Sequence, residues 1–179
     1  MNAVTIDRLT PDDWETLRDL RLRALLTDPD SFGSTWEDEQ DGDEPWWRTW
    51  LAEQHWLVAR GGDGSPLGMV AVVPPRAWKE GAGLTAGSVA ERGDREAEPF
   101  TLNGLWVVPE ARGNGIARDL ARHVIGLAGN AGVVLTVVDG NTAARDLFTS
   151  LGFRPTGERY PRERDPSRWN ERLSLTPPG

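Results

Sequence analysis

The stretch Leu105–Ala117, with the sequence LWVVPEARGNGIA, runs from an apolar strand through a glycine-rich turn into the start of a helix. The first turn of a helix has N–H groups without intrahelical partners and carries a partial positive charge. Gly113 and Gly115 let the backbone approach an anion closely and adopt dihedral angles that other residues avoid. The stretch therefore predicts a cradle for a pyrophosphate group.

A tight turn that merely needs glycine is the alternative to this cradle. The strand before the turn and the amphipathic helix after it favour the cradle, because both lie where an anion site needs them. Two other phosphate-binding loops are excluded. The chain has no G-x-x-x-x-G-K-[ST] sequence, and it has no G-x-G-x-x-G sequence after a first strand.

The segments around this stretch predict an alternation of strands and helices. Apolar runs predict strands at 4–9, 56–59, 67–73, 102–108, 133–138, from 153 onward and at 172–176. Helical spacing and capping residues predict helices from Thr10 to about 28, and at 45–52, 115–128 and 141–151. The polar segment 30–44 is expected to be a loop, and the Gly- and Ala-rich segment 79–97 a long flexible loop.

Composition limits the classes of protein to be considered. A length of 179 residues with 38% hydrophobic content predicts one domain, 1–179. We expect a cytoplasmic protein without a membrane span, because no apolar run reaches about 18 residues and no signal peptide is evident. The absence of cysteine excludes disulfides, thiolate metal sites and an acyl-cysteine intermediate, and we expect no metal. The net charge of −8 argues against nucleic acid as a partner.

Two motifs resemble the GNAT superfamily of N-acetyltransferases, in its bacterial form. The segment Arg112–Ala117, RGNGIA, fits the family signature R/Q-x-x-G-x-G/A, and it follows a strand that ends Val107-Val108-Pro109. The segment Asn141–Phe153 is similar to the family's N-x-x-A-x-x-L-Y-x-x-x-G-F sequence. The segment 25–34, with its Asp-Pro-Asp-Ser-Phe-Gly run, is also similar to many bacterial members.

The resemblance implies an α/β (α+β) fold with a mixed, mostly antiparallel sheet of roughly seven strands and about four helices. It implies acetyl-CoA as the cosubstrate, with its pantetheine arm in a gap between two central strands and its amides bonded to backbone groups of Trp106 and Val108. Backbone N–H groups of 113–117 would hold the pyrophosphate. The cofactor-binding residues that it implies are Trp106, Val107, Val108, Arg112, Gly113, Asn114, Gly115, Ile116, Ala117, Asn141, Ala144, Arg145 and Phe148.

The last four of these residues share one helical face, at i, i+3, i+4 and i+7. For Asn141 a simple N-cap is an equally good interpretation, and both roles are compatible. Phe148 departs from the family, which often has tyrosine there to protonate the leaving thiolate of CoA. Phenylalanine has no proton to give. Tyr160 is the only tyrosine, and nothing in the sequence places it near the sulfur.

A general base must accept the proton of the attacking amine, and a backbone N–H near Val108 is expected to stabilise the oxyanion. Glu37 is our candidate base, because it follows Trp36 in a run of eight acids without a basic residue, in a region that borders the acceptor side in the family. A solvated acidic loop is the alternative for this run. The further candidates are Asp38, Glu39 and His55, of which His55 is expected to lie at the surface; His123 is expected to be structural or solvated.

The acceptor is expected to be a cationic amine with an apolar body, carried by a small molecule or a peptide. Nine tryptophans, four of them within 36–50, predict either core packing or an apolar acceptor pocket. Protein lysine or N-terminal acetylation is a second hypothesis, and a non-catalytic acyl-CoA-binding module is a third. A homodimer stays open at this point.

Overall fold

The computed structural model describes residues 4–75 and 98–176. The predicted loop 79–97 lies outside these residues. The strands are β1 Thr5–Arg8, β2 His55–Arg60, β3 Pro66–Val73, β4 Phe100–Val107, β5 Val133–Val138, β6 Arg154–Pro161 and β7 Trp169–Leu175. The helices are α1 Trp14–Thr27, α2 Trp36–Glu39, α3 Glu44–Glu53, α4 Ile116–Ala128 and α5 Thr142–Ser150.

The seven strands form one mixed sheet in the order β1-β2-β3-β4-β5-β7-β6. Antiparallel pairing joins β1 to β2, β2 to β3, β5 to β7 and β7 to β6. β4 runs parallel to β5, and their recorded pairing covers Phe100–Leu102. The predicted mixed, mostly antiparallel α/β fold is confirmed. The described residues contain five α-helices rather than the predicted four, and the additional helix is the single-turn α2.

The sequence predicted one domain, and the described residues form two compact units. The first contains the described residues up to Val72 together with Gly104–Ala121, and the second contains those of 73–103 and 122–176. The chain crosses between the units three times: at the end of β3, within β4 and within α4.

In the first unit, the prediction of a loop at 30–44 is confirmed for 32–35 and 40–43 but wrong elsewhere. A 3₁₀ turn covers Pro29–Ser31, and α2 follows at Trp36–Glu39. Thr35 starts α2, because its N–H and Oγ1 both donate to the Asp38 carboxylate, at 2.7 and 3.0 Å. These polar residues form short capped helices, which a search for apolar periodicity does not detect.

Of the three tryptophans of α3, Trp47 lies in the core of the first unit, whereas Trp46 and Trp50 are partly exposed. Trp47 is fully buried and its Nε1 donates to the Gly42 carbonyl at 3.0 Å. Trp50 stacks on Trp56 of β2, with ring centroids 6.0 Å apart and an interplanar angle of 9°. Core packing, the simpler of the two hypotheses for this cluster, therefore accounts for Trp47 and Trp56.

In the second unit, β5 is buried except at Thr136, as expected of a strand inside a sheet. β6 is exposed along its whole length. β7 begins at Trp169 rather than at the predicted position 172, because its polar residues pair with β5 and β6 in spite of a weak apolar pattern. Phe148 and Phe153 pack edge to face, with centroids 5.4 Å apart.

Candidate active site

The turn between β4 and α4 has the geometry of an anion cradle. Gly113 and Gly115 have φ angles of +79° and +84°, which L side chains rarely adopt. A Cβ added at either glycine would meet no atom within 4 Å, so the space in front of the turn is open. Among the described residues, the backbone N–H groups of 113–117 have no protein acceptor. These groups fit a pyrophosphate.

Side chains within the turn hold this conformation. The Asn114 Nδ2 group donates to the carbonyl oxygens of Ala111 and Arg112, at 3.1 and 3.2 Å. The Arg112 Nε group donates to the Val107 carbonyl at 3.0 Å. Asn114 and Arg112 thus fix the loop, and the backbone rather than these side chains presents donors at the cradle.

Asp28, directly after α1, ties this turn to the rest of the first unit. Its Oδ2 accepts hydrogen bonds from Trp106 Nε1 at 2.7 Å and from Arg112 Nη2 at 2.5 Å. Partial burial raises the pKa of Asp28, but the bonds from Trp106, Arg112 and Thr27 outweigh it, so the pKa lies below its ordinary value. The carboxylate is therefore ionised under neutral conditions and anchors both β4 and the turn.

The structure corrects the expected role of the Val108 amide. The Val108 N–H donates to the Leu67 carbonyl of β3 at 2.9 Å, so it is not available to pantetheine or to an oxyanion. A Cβ on Gly68 would lie 2.8 Å from the Trp106 carbonyl oxygen, so this group also faces β3. Backbone groups of successive strand residues point to opposite edges. Val107 is accordingly the residue whose backbone faces away from β3.

The residues implied on α5 have partners within the second unit. Asn141 caps the helix, because its Oδ1 accepts the Ala144 N–H at 3.1 Å. Arg145 forms an ion pair with Glu171 of β7. Phe148 is buried, with 4% of its surface exposed. The Tyr160 hydroxyl lies 3.1 Å from Thr136 Oγ1, on a half-exposed ring.

The candidate bases occupy different environments. Glu37 is exposed on α2, whereas Glu39, two residues later, is buried with 2% exposed. Asp38 caps α2. His55 is 5% exposed, so the expectation of a surface histidine is wrong; it begins β2, the second strand of the sheet. His123 is exposed, as predicted for a solvated side chain.

Most carboxylates of the acidic run have structural partners. Asp28 and Glu39 bind arginines, Asp38 and Asp43 cap helices, and Glu44 pairs with Arg48 at 2.7 Å. Glu37 and Asp41 are exposed carboxylates with no recorded partner in the described part of the chain.

Sequence reasoning missed Arg21 and Gly104. Arg21 of α1 is 7% exposed and forms a two-bonded ion pair with Glu39. Gly104 of β4 has a φ angle of +60°. The signal for Arg21 was present, since it lies four residues from both Leu17 and Leu25 and so shares their buried face. A positive φ angle within a strand has no comparable signal in one sequence.

Comparisons with known proteins agree with this geometry. Residues 14–153 match the model of the acetyltransferase (GNAT) family. The chain therefore belongs to the GNAT acetyltransferase family. Among curated proteins, none matches the sequence significantly.

Solved structures with this fold come from several bacteria. A Salmonella typhimurium protein, solved with its cofactor acetyl-CoA, is 18% identical, with 97% of this chain and 94% of that chain covered and a TM-score of 0.68. A GCN5-related N-acetyltransferase from Kribbella flavida is 18% identical, with 98% of both chains covered and a TM-score of 0.68. A ribosomal-protein-alanine N-acetyltransferase from Brucella melitensis is 19% identical, covering 97% and 99%, with a TM-score of 0.66.

No helix in 4–75 or 98–176 has the length and apolar character needed to cross a membrane. Over the same residues, no group of three or more His, Cys, Asp or Glu side chains is arranged to hold a metal ion.

The cradle is tested by placing a charge at Gly115. We expect Gly115→Glu to abolish binding of acetyl-CoA, because the carboxylate repels a phosphate group in the open space before α4. Gly115→Ala is the matched control, since it has the same strain at a positive φ angle without the charge. Isothermal titration with folded variants measures both. Wild-type affinity in Gly115→Glu would contradict the cradle assignment.

The anchor is tested by Asp28→Asn. We expect a loss of about 1–2 kcal/mol in the free energy of unfolding near neutral pH, because charged hydrogen bonds to Trp106 and Arg112 weaken. The folded-state pKa is lowered, so the wild-type advantage is present above the ordinary value of 3.8 and is lost as pH falls through the folded value. Urea unfolding from about pH 7 to about pH 3 measures it. Asp41→Asn is the exposed control, and equal losses in both variants would contradict the anchor.

Proposed function

We propose that this acetyltransferase transfers an acetyl group from acetyl-CoA to the primary amine of a small molecule or peptide, by direct attack in a ternary complex. The cradle at the start of α4 carries the proposal. Its N–H groups at 113–117 have no protein acceptor among the described residues, and the two left-handed glycines keep the approach open. That arrangement suits the pyrophosphate of acetyl-CoA.

The bound thioester supplies an acetyl carbon that an amine can attack: a C–N bond forms, the C–S bond breaks, and the sulfur leaves with the bonding electron pair. The chain contains no cysteine, which supports attack by the amine itself rather than transfer through an acyl-cysteine. Phe148 cannot donate a proton to the leaving sulfur. The thiolate therefore leaves unprotonated or takes its proton from water.

For the proton of the amine we propose Glu37. Its carboxylate is exposed on α2 and has no recorded partner among the described residues, unlike its neighbours Asp38 and Glu39. An ammonium has no lone pair, so a carboxylate that first attracts the cation and then accepts its proton, directly or through water, serves both steps. The exposed Asp41 adds to the local negative field.

Binding and turnover test the proposed function together. We expect saturating acetyl-CoA to raise the melting temperature, since ligand at about 100 times its dissociation constant adds about 2.7 kcal/mol of stability. Release of free thiol with a panel of amines and peptides measures turnover. An unchanged melting temperature with both acetyl-CoA and CoA would contradict the proposal. Binding without thiol release from any acceptor would instead identify a non-catalytic acyl-CoA-binding module.

Glu37→Gln tests the base. We expect kcat/KM for the acceptor to fall about 100-fold near neutral pH, with acetyl-CoA binding unchanged, because the amide keeps the shape but cannot accept the proton. The loss should shrink at high pH, where free amine is abundant. Asp41→Asn removes a neighbouring exposed charge and should cost much less. Equal kinetics for Glu37→Gln and the wild type at every pH would remove Glu37 from the site.

A further inference from the structure

Arg21 is a buried arginine whose side chain is held rigidly at one end only. Its Nε and Nη2 groups donate to the two carboxylate oxygens of Glu39, at 2.8 and 2.7 Å. Phe32 and Trp50 lie on its guanidinium, with ring centroids 4.8 and 5.6 Å from Cζ. The side chain is 8% exposed. A planar fork bound in this way has one orientation, so its remaining nitrogen points in a fixed direction.

That remaining nitrogen, Nη1, has no acceptor among the described residues. It lies 3.8 Å from the position that a Cβ on Gly104 would occupy, and the Trp56 ring lies 3.3 Å from the same position. A side chain at position 104 would crowd the tryptophan ring and lie against the guanidinium, and glycine leaves that edge of Arg21 uncovered. Nη1 is not fully shielded from solvent, so a ligand atom can reach it, and an acceptor placed there gains a charge-assisted hydrogen bond.

The position of Gly104 connects this donor to the acetyl-transfer site, and the step rests on the proposed function. With the pyrophosphate at 113–117, an arm that runs back along β4 passes Val107 before it reaches Gly104. Strand residues advance by about 3.3 Å each, so Gly104 lies about 10 Å beyond Val107, on the side away from the cradle. The Arg21 donor thus faces the middle of β4, where under the proposed function the acceptor and the acetyl group meet.

We propose that Arg21 determines acceptor specificity, its Nη1 donating a hydrogen bond to a neutral carbonyl oxygen beside the amine that is acetylated. Glu39 already neutralises the guanidinium, and the exposed carboxylates of Glu37 and Asp41 disfavour a second anion. A neutral carbonyl therefore fits better than a carboxylate. The acceptor class is an α-amino amide, either a free amide or the first residue of a peptide.

Three acceptors with the same aromatic body test whether the site prefers a neutral carbonyl, no carbonyl or a carboxylate beside the amine. They are phenylalaninamide, phenethylamine and phenylalanine. The variant Arg21→Met/Glu39→Met removes both charges together, since removal of one alone leaves a buried unpaired ion. We expect kcat/KM for phenylalaninamide to fall about 10- to 100-fold and that for phenethylamine to change less than about threefold. Each variant-to-wild-type ratio uses one acceptor, so differences in amine reactivity cancel.

The variant Glu39→Gln tests whether Glu39, by neutralising Arg21, disfavours an acceptor that carries a carboxylate. Glutamine accepts one hydrogen bond from Arg21 but leaves the guanidinium charge uncompensated. We expect phenylalanine to gain relative to phenylalaninamide in this variant. A phenylalanyl dipeptide amide, run beside phenylalaninamide, distinguishes a peptide terminus from a free amide. Arg18→Met, an exposed change on the same helix, is the control and should leave all ratios unchanged.

The outcomes distinguish this inference from the proposed function. Equal losses for amide and amine in the double variant, with the melting-temperature shift by acetyl-CoA retained, would show a purely structural ion pair and overturn the inference. A wild type that turns over acceptors without preferring the amide would overturn it as well. Thiol release from no acceptor at all would overturn the proposed function itself.

Discussion

The Asp28 carboxylate is the contact on which the first unit's site depends. One oxygen accepts bonds from Trp106 of β4 and from Arg112 of the turn, so a single ion joins the end of α1, the strand and the cradle. Arg112 in turn holds the Val107 carbonyl. The cradle needs this support because Gly113 and Gly115 are conformationally free, so contacts around the turn must hold them in one conformation.

The ion pair between Arg21 and Glu39 is buried, whereas the contact between Arg112 and Asp28 is partly exposed. Arg21 and Glu39 are both buried, and burial of two charges is costly even when they are well paired. Hydrophobic residues of similar volume would stabilise the core at least as well, so stability alone does not account for the pair. Its place beside Gly104 of β4, with Nη1 of Arg21 lacking an acceptor among the described residues, gives the pair a reason within the site.

Strong local patterns explain why so much of the fold was predictable. The buried strand β5 is an apolar run interrupted only by Thr136, and α4 has apolar residues on one face with a glycine turn before it. Polar segments were not predicted correctly from apolar patterns. α2 is a single turn started by Thr35 and Asp38, and its residues resemble a loop because short-range hydrogen bonds stabilise loops and helix caps alike.

The sequence by itself determined the strand–turn–helix cradle, since glycine spacing and the free amides of a helix start are local properties of 105–117. It also determined the family, through motifs whose order along the chain is sufficient. Only the tertiary structure decided which acids are available and which are structural. Glu37 and Glu39 lie two residues apart in one acidic run, yet one is solvated and the other is bound to Arg21, 18 residues away. The role of each charge depends on what packs around it, because burial and long-range partners set the energy of an ion, and neither can be read from neighbours in the sequence.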